Sequence, residues 1–226
     1  MGRNIEALVE HQIRRWELAR RSSVSEPPLP CLALSRPLGA GAAELGQRVA
    51  ELLGFPFFNK DLVEWIARRA RKREQLVAGV DEHIRNTIDR FVVDGFSRER
   101  FTESDYLRQL VRIMAILGER GGAVILGRGA QFILPPERTL RALVVAPRPE
   151  RVERLRKRQS ISTAEAEEMI RQADASRREF LMYHFHREPD DPGNYDLSVN
   201  TGFLSLEDAA SLLAAAYRAR FPSSKR

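Results

Sequence analysis

Cys31-Leu32-Ala33-Leu34-Ser35-Arg36-Pro37-Leu38-Gly39-Ala40-Gly41-Ala42-Ala43-Glu44-Leu45 carries an apolar run into a glycine turn and out again into a helical pattern. The run Cys31 to Leu34 has the length and composition of a buried parallel strand. From Ala42 to Leu53, Leu45, Val49, Leu52 and Leu53 recur at helical spacing, and Gly54 suits the close of that helix. Strand, glycine turn and helix N-terminus together aim backbone N–H groups and a helix dipole at an anion. A full phosphate loop adds a lysine that reaches the β/γ-phosphates and a Ser/Thr hydroxyl that holds magnesium. Aligned on Gly39 and Gly41, this chain has Ala42 at the lysine position and Glu44 at the hydroxyl position. Arg36, Gly39, Ala40, Gly41 and Ala42 therefore read as an anion cradle without its usual charge. Arg36 or Arg48 is left to supply that charge from another direction.

Outward from this loop, strand and helix patterns alternate. Phe55 to Phe58 reads as a short strand, and Asn59 as the cap of a helix from Lys60 to about Lys72. A mainly helical insert follows over 81–120, with a helix start at Thr102-Glu103-Ser104-Asp105 and an end at Gly121-Gly122. Ala123-Val124-Ile125-Leu126 and Arg141-Ala142-Leu143-Val144-Val145-Ala146 are further strands. A basic helix over 149–158 precedes a longer one over 163–186, opened by the capping box Ser162-Thr163-Ala164-Glu165. Leu197-Ser198-Val199 is a last strand, and Ser205 opens the closing helix to about Arg220. Strands separated by helices argue for a parallel sheet covered on both faces.

Residues 1–29 stand apart from this α/β body, which occupies 30–226. Ile5, Leu8, Val9, Ile13 and Trp16 give residues 3–21 an amphipathic helical period, and Ser22 to Pro30 breaks it with Ser-Ser, Pro27-Pro28 and Pro30. Such a helix packs on the main domain or on a second subunit, so a homo-oligomer is one expectation. The sequence has 226 residues with 43% hydrophobic content, ample for a core. No apolar run approaches the roughly 20 residues that span a bilayer. The charged N-terminus lacks a secretory h-region, and the single Cys31 excludes an internal disulfide framework, so a reduced cytoplasm is expected. Net charge is +6 with a pI near 10.0. The arginines are spread over most helices without the basic–aromatic alternation of an RNA-binding sheet, which argues against a nucleic-acid partner.

Ligands of such sheets bind beyond the carboxyl ends of the strands. Besides the Gly39/Gly41 loop, Gly127-Arg128-Gly129 meets that condition, its glycines allowing close approach and Arg128 offering a planar fork to a phosphate. On the basic helix Arg151, Arg154 and Arg158 share a face. On the long helix Arg171, Asp174, Arg177 and Arg178 fall within two turns, with Asp174 and Arg178 at i, i+4. Clustered guanidinium groups suit a transferring phosphoryl group. The alternative is a solvated face paired with Glu153, Glu167 or Glu168. His184 and His186, at i, i+2, do not face each other, so no metal pair is expected.

Taken together, these residues resemble the cytidylate kinase-like family, relatives of the nucleoside monophosphate kinases. The resemblance rests on Ser35-Arg36 with Gly39-x-Gly41, Phe57-Phe58-Asn59-Lys60-Asp61-Leu62, Gly127-Arg128-Gly129-Ala130 and Val144-Val145-Ala146-Pro147 with Arg151. It continues through Asp174-x-x-Arg177, Tyr195-Asp196-Leu197-x-Val199-Asn200-Thr201 and Ser205-Leu206-Glu207-Asp208-Ala209-Ala210. It implies an α/β, three-layer P-loop nucleotide kinase-like fold: a five-stranded parallel sheet with a helical insert and a short lid. It also implies ATP and Mg²⁺ as cofactors and a nucleoside monophosphate such as CMP, or another small phosphate acceptor, as substrate. In that pattern the glycine loop holds donor phosphates. Arg128, with Gly129 and Asp174, holds the acceptor, and Arg154, Arg158, Arg177 and Arg178 stabilise the transferring group. The missing lysine leaves a second expectation, a nucleotide-binding regulator that has lost catalysis.

Overall fold

The computed structural model describes residues 28–59 and 105–222. The helix expected over 3–21, most of its linker, the helix over 60–72 and the insert up to residue 104 lie outside the described residues. Five strands form one parallel sheet: β1 (Cys31–Ser35), β2 (Phe57–Phe58), β3 (Val124–Leu126), β4 (Thr139–Val145) and β5 (Leu197–Asn200). They lie in the order β2-β3-β1-β4-β5, with Ala33 opposite Ile125 on one side and opposite Arg141 on the other. β1 is central and buried throughout, as its unbroken apolar run predicts.

Side chains alternate across the pleat, so β1 feeds two cores. Cys31 and Ala33 join Leu107, Leu110 and Met114 of α2 (Asp105–Arg120) and Leu181 and Phe185 of the long helix described below. Leu32 and Leu34 face the other way, onto α1 (Ala42–Leu53) and α6 (Leu206–Arg220). These are the three layers the sequence predicts. In α1, Leu45 and Val49 are buried, whereas Leu52, expected on the same stripe, faces solvent. Gly46 permits the close contact of α1 with β2: a Cβ there would fall 2.5 Å from the Phe57 ring. Burial pushes the Cys31 thiol up to about 11, leaving it an inert core residue.

After β3 comes α3 (Ala130–Ile133), a single turn to which the sequence reading gave no element, since four residues are too short to show a period. β4 starts two residues earlier than expected, at Thr139, because the 3₁₀ turn Pro136–Arg138 leads directly into it. The basic helix α4 (Arg148–Gln159) and the long α5 (Thr163–Phe185) form a hairpin joined through Ser160, which is left-handed. The capping box is present, the Ser162 hydroxyl accepting from the Glu165 N–H while the Glu165 carboxylate accepts from the Ser162 N–H. None of the helices among the described residues is long and apolar enough to cross a membrane.

Candidate active site

Parallel topology brings the loops after β1, β3, β4 and β5 to one edge of the sheet. The β1 loop turns on two left-handed residues, Gly39 at φ 84° and Gly41 at φ 77°, and Gly41 opens α1 with no side chain capping the helix. The first-turn N–H groups of α1 thus have no side-chain acceptor, the condition for an anion site at a helix start. At the lysine position Ala42 is 2% exposed, a core methyl. Glu44 lies on the outer face and accepts from Arg48 at 2.9 Å. That contact draws Arg48 along the helix surface.

The loop is held from behind. Asp174 of α5 accepts the Leu38 N–H at 3.1 Å and the Arg151 guanidinium at 2.5 Å, while Arg151 Nε donates to the Leu38 carbonyl at 2.7 Å. Both polar groups of Leu38 are thereby fixed by side chains of the hairpin. Asp174, which in sequence stands with the acceptor and at i, i+4 from Arg178, here orients Arg151 and clamps the loop, while Arg178 turns outward to Glu188. The carboxylate sits on the loop face of α5, where Arg151 is desolvated and binds it more strongly than an exposed neighbour could.

Arg154 lies one turn beyond Arg151 and approaches the loop from the side. Its Nη1 donates to the Thr201 hydroxyl at 2.8 Å, its Nη2 donates to the Thr201 carbonyl, and Nη1 lies 3.4 Å from where a Cβ on Gly41 would be. The Thr201 hydroxyl in turn reaches the Ala40 carbonyl at 2.8 Å. Thr201 therefore joins the end of β5, the glycine loop and α4. We expect Thr201→Val to cost about 1–3 kcal/mol, since it orphans the Ala40 carbonyl and one guanidinium N–H. Urea unfolding of the two proteins checks this.

Arg158, sharing the face of Arg151 and Arg154 in sequence, is exposed at the hairpin tip and makes no hydrogen bond or ion pair among the described residues. Arg177 bridges the end of β1 and the loop after α5: Nη2 donates to the Ser35 hydroxyl at 3.1 Å and to the Pro189 carbonyl at 2.9 Å, and Nη1 to Asp190 at 2.8 Å. Its side chain is 13% exposed, against 65% for Arg178. Arg156, Lys157 and Arg171 form the solvated pairs with Glu153 and Glu168 that the bland reading anticipates. The Arg156 and Lys157 hydrogen bonds hold the Glu153 carboxyl down to about 2.

In the β3 loop three successive residues are left-handed: Gly127 at φ 83°, Arg128 at 55° and Gly129 at 71°. A non-glycine residue held there costs about 1 kcal/mol and is typical of ligand-contacting turns. Arg36 Nη1 lies 3.1 Å from the position of a Cβ on Gly127, so Arg36 leans to the β3 loop and not over the cradle it was assigned to. The Arg128 guanidinium stands 5.2 Å from the centre of the Phe180 ring. Burial, helped by the Arg128 charge, holds the neighbouring His184 below the usual imidazole range. Gly129 packs directly under the Phe185 ring, leaving no room for a Cβ.

Sequence reasoning gave no site role to Ser35 and Thr201, whose partners Arg177 and Ala40 are far away in the chain, to Asp190, which meets Arg177 across a loop, or to Gln131. Gln131 is 3% exposed on α3, with neither Nε2 nor Oε1 hydrogen-bonded among the described residues. Burying an amide in this way carries a penalty that an apolar isostere avoids, so Gln131→Leu should raise stability by about 1 kcal/mol. A thermal melt showing a fall instead would mean that the amide has a partner in the folded protein.

A five-stranded parallel sheet whose central strand delivers a glycine loop to a helix N-terminus, facing arginines from a helical hairpin, is the architecture of a P-loop kinase-type protein. The chain belongs to the cytidylate kinase-like family, whose sequence model matches residues 31–202. The crystal structure of an uncharacterized protein from Eubacterium ventriosum resembles it with a TM-score of 0.67 at 18% identity, over 86% of this chain and 99% of that one. A shikimate kinase from Acinetobacter baumannii, solved in complex with shikimate, gives a TM-score of 0.49 at 15% identity over 86% of this chain and 96% of its own. A curated uronate isomerase of Corynebacterium glutamicum is 33% identical over 102 residues, 45% of this chain and 20% of the relative. The chain thus matches about a fifth of that protein's length.

Proposed function

We propose that the protein transfers the γ-phosphoryl group of ATP to a small anionic acceptor of the CMP type. The observation that supports this reading best is the gathering of Arg36, Arg128 and Arg177 at the ends of β1 and β3, beside a glycine loop built for phosphate. The cradle suits a nucleotide's phosphates: two left-handed glycines and an uncapped helix start leave backbone N–H groups to bind them. Arg154, at the rim of the loop, replaces from α4 part of the charge that Ala42 does not supply. In this reading Arg36 and Arg128 hold the acceptor's anionic group, and Arg177, bonded to Ser35 at the end of β1, serves the charge that builds up during transfer. A magnesium ion arriving with ATP would neutralise donor phosphate charge. Among the described residues no group of three potential metal ligands gathers. The proposed setting is the cytoplasm, consistent with a lone, buried and unreactive cysteine.

A second reading is a nucleotide-binding regulator without turnover. The buried Ala42 methyl and the outward-turned Glu44 favour it. Calorimetry with ATP and Mg²⁺, followed by CMP addition and measurement of ADP, separates the two. CMP-dependent ADP release supports the kinase, binding without turnover across a panel of acceptors supports the regulator, and absence of binding overturns both. In an active preparation, Arg177→Ala should lower kcat about 100-fold. Arg178→Ala should change it less than threefold, because Arg178 is an exposed partner of Glu188.

A further inference from the structure

Arg177 has three partners, and they are unequal. Each terminal nitrogen of a guanidinium carries two N–H groups. Those of Nη2 are engaged by groups fixed in the fold, the Ser35 hydroxyl at the end of β1 and the Pro189 carbonyl. Ser35 is 3% exposed, and Pro189 is buried. Nη1 donates to the third partner, the Asp190 carboxylate, at 2.8 Å. The Asp190 side chain is 74% exposed, against 13% for Arg177. Among the described residues it makes no other hydrogen bond or ion pair.

The contacts of Nη2 already fix the guanidinium, so orienting it does not require Asp190. The backbone on either side of Asp190 is also held. The Glu188 carbonyl accepts from Asn194 Nδ2 at 2.8 Å, and the Pro189 carbonyl accepts from the Tyr195 hydroxyl at 2.6 Å. The Asp191 carboxylate accepts the Gly193 N–H at 2.8 Å and caps the turn Pro192–Asn194. A turn of the Asp190 side chain alone is therefore enough to free Nη1. An exposed ion pair of this kind corresponds to an equilibrium constant of about two to five. A phosphate dianion brings more charge and more acceptor oxygens to the same donor than a single carboxylate. The Asp190 carboxylate is thus an internal anion that a phosphate group can displace, on the residue that reaches the end of β1 where the glycine loop begins.

We propose that Asp190 is a self-inhibitory latch: its carboxylate occupies Arg177 Nη1 in the free protein and gives way to the phosphate group of the incoming acceptor. The latch rests on the reading of Arg177 as a cation of the phosphoryl-transfer site. A ligand that must displace a closed latch binds more weakly in proportion to the fraction of open molecules, here about three- to sixfold. The test is the Kd of inorganic phosphate for the full chain, measured by phosphorus NMR titration at constant ionic strength, so that neither the acceptor's identity nor turnover enters. Asp190→Ala should tighten binding about three- to sixfold. Asp190→Asn, which keeps the shape of the side chain, should tighten it about twofold or more. Glu188→Gln removes a negative charge from the same loop, but from the partner of Arg178, and should change binding less than about 1.5-fold. Equal tightening by Glu188→Gln would make the effect one of general field and overturn the latch. Unchanged or weaker binding in Asp190→Ala, while Arg177→Ala weakens it, would overturn the latch and leave Arg177 at an anion site. Absence of phosphate binding, or binding that Arg177→Ala leaves unchanged, would overturn the reading of Arg177 and the latch with it.

Discussion

Asp174→Ala should lower the unfolding free energy by about 2–4 kcal/mol and abolish nucleotide binding at the glycine loop. The carboxylate is the shared acceptor of Arg151 and of the Leu38 N–H. Its removal leaves Arg151, 8% exposed, as an uncompensated cation beneath the loop. Breaking a buried pair typically costs about 3–5 kcal/mol, and partial exposure of Asp174 reduces that figure. For a domain of this size the midpoint should fall by roughly 5–12 °C. Asp174→Asn, which keeps one acceptor, should recover part of the stability. A thermal melt with calorimetric titration of ATP reads both effects. Equal midpoints for wild type and Asp174→Ala would remove the clamp from the account.

Gly39→Val should be as damaging, for a reason of shape. At φ 84° a Cβ would lie 2.7 Å from the Arg151 carbonyl oxygen and 2.9 Å from its Cβ. Arg151 cannot retreat, because its side chain is held at Leu38 and Asp174. The left-handed backbone costs a branched residue about 1–2 kcal/mol, and relief of the clash costs about as much again. We expect a loss of about 3 kcal/mol and at least a 100-fold weaker affinity for ATP. Gly54→Ala is the control, since Gly54 has the same backbone sign at φ 70° but open space around it. Its effect should be limited to about 1 kcal/mol with affinity unchanged. Denaturant unfolding and calorimetry of the pair separate backbone strain from crowding.

Local signals in the sequence carried the sheet and the ends of its helices. The apolar run of β1, the left-handed Gly54 and the Ser162–Glu165 box each act within a few residues, so the chain announces them directly. The turn α3 lay below the length at which periodicity can speak. The candidate site was legible as a set of residues but not as a division of labour. Arg151, Arg154 and Arg158 share one helix face, yet the structure gives them three surroundings: the Asp174 carboxylate, Thr201 and open water. Arg177 and Arg178 are adjacent in sequence and differ by about 100° around the helix, which sends one to Ser35 and the other to solvent. Thr201 meets Ala40 across 161 positions, a contact no spacing rule can foresee.

The double attachment of Leu38, to α4 through Arg151 and to α5 through Asp174, also sets how the hairpin can move. Both helices are moored at their base to the floor of the site, and Arg154 adds a third mooring at Thr201. A rigid swing of the whole hairpin would tear the loop that it is meant to close over. The span past Arg154 carries none of these three contacts, and it turns at Ser160, which is left-handed at φ 56°. Arg158 stands exposed at that tip, past all three moorings, while the glycine loop carries every one of them.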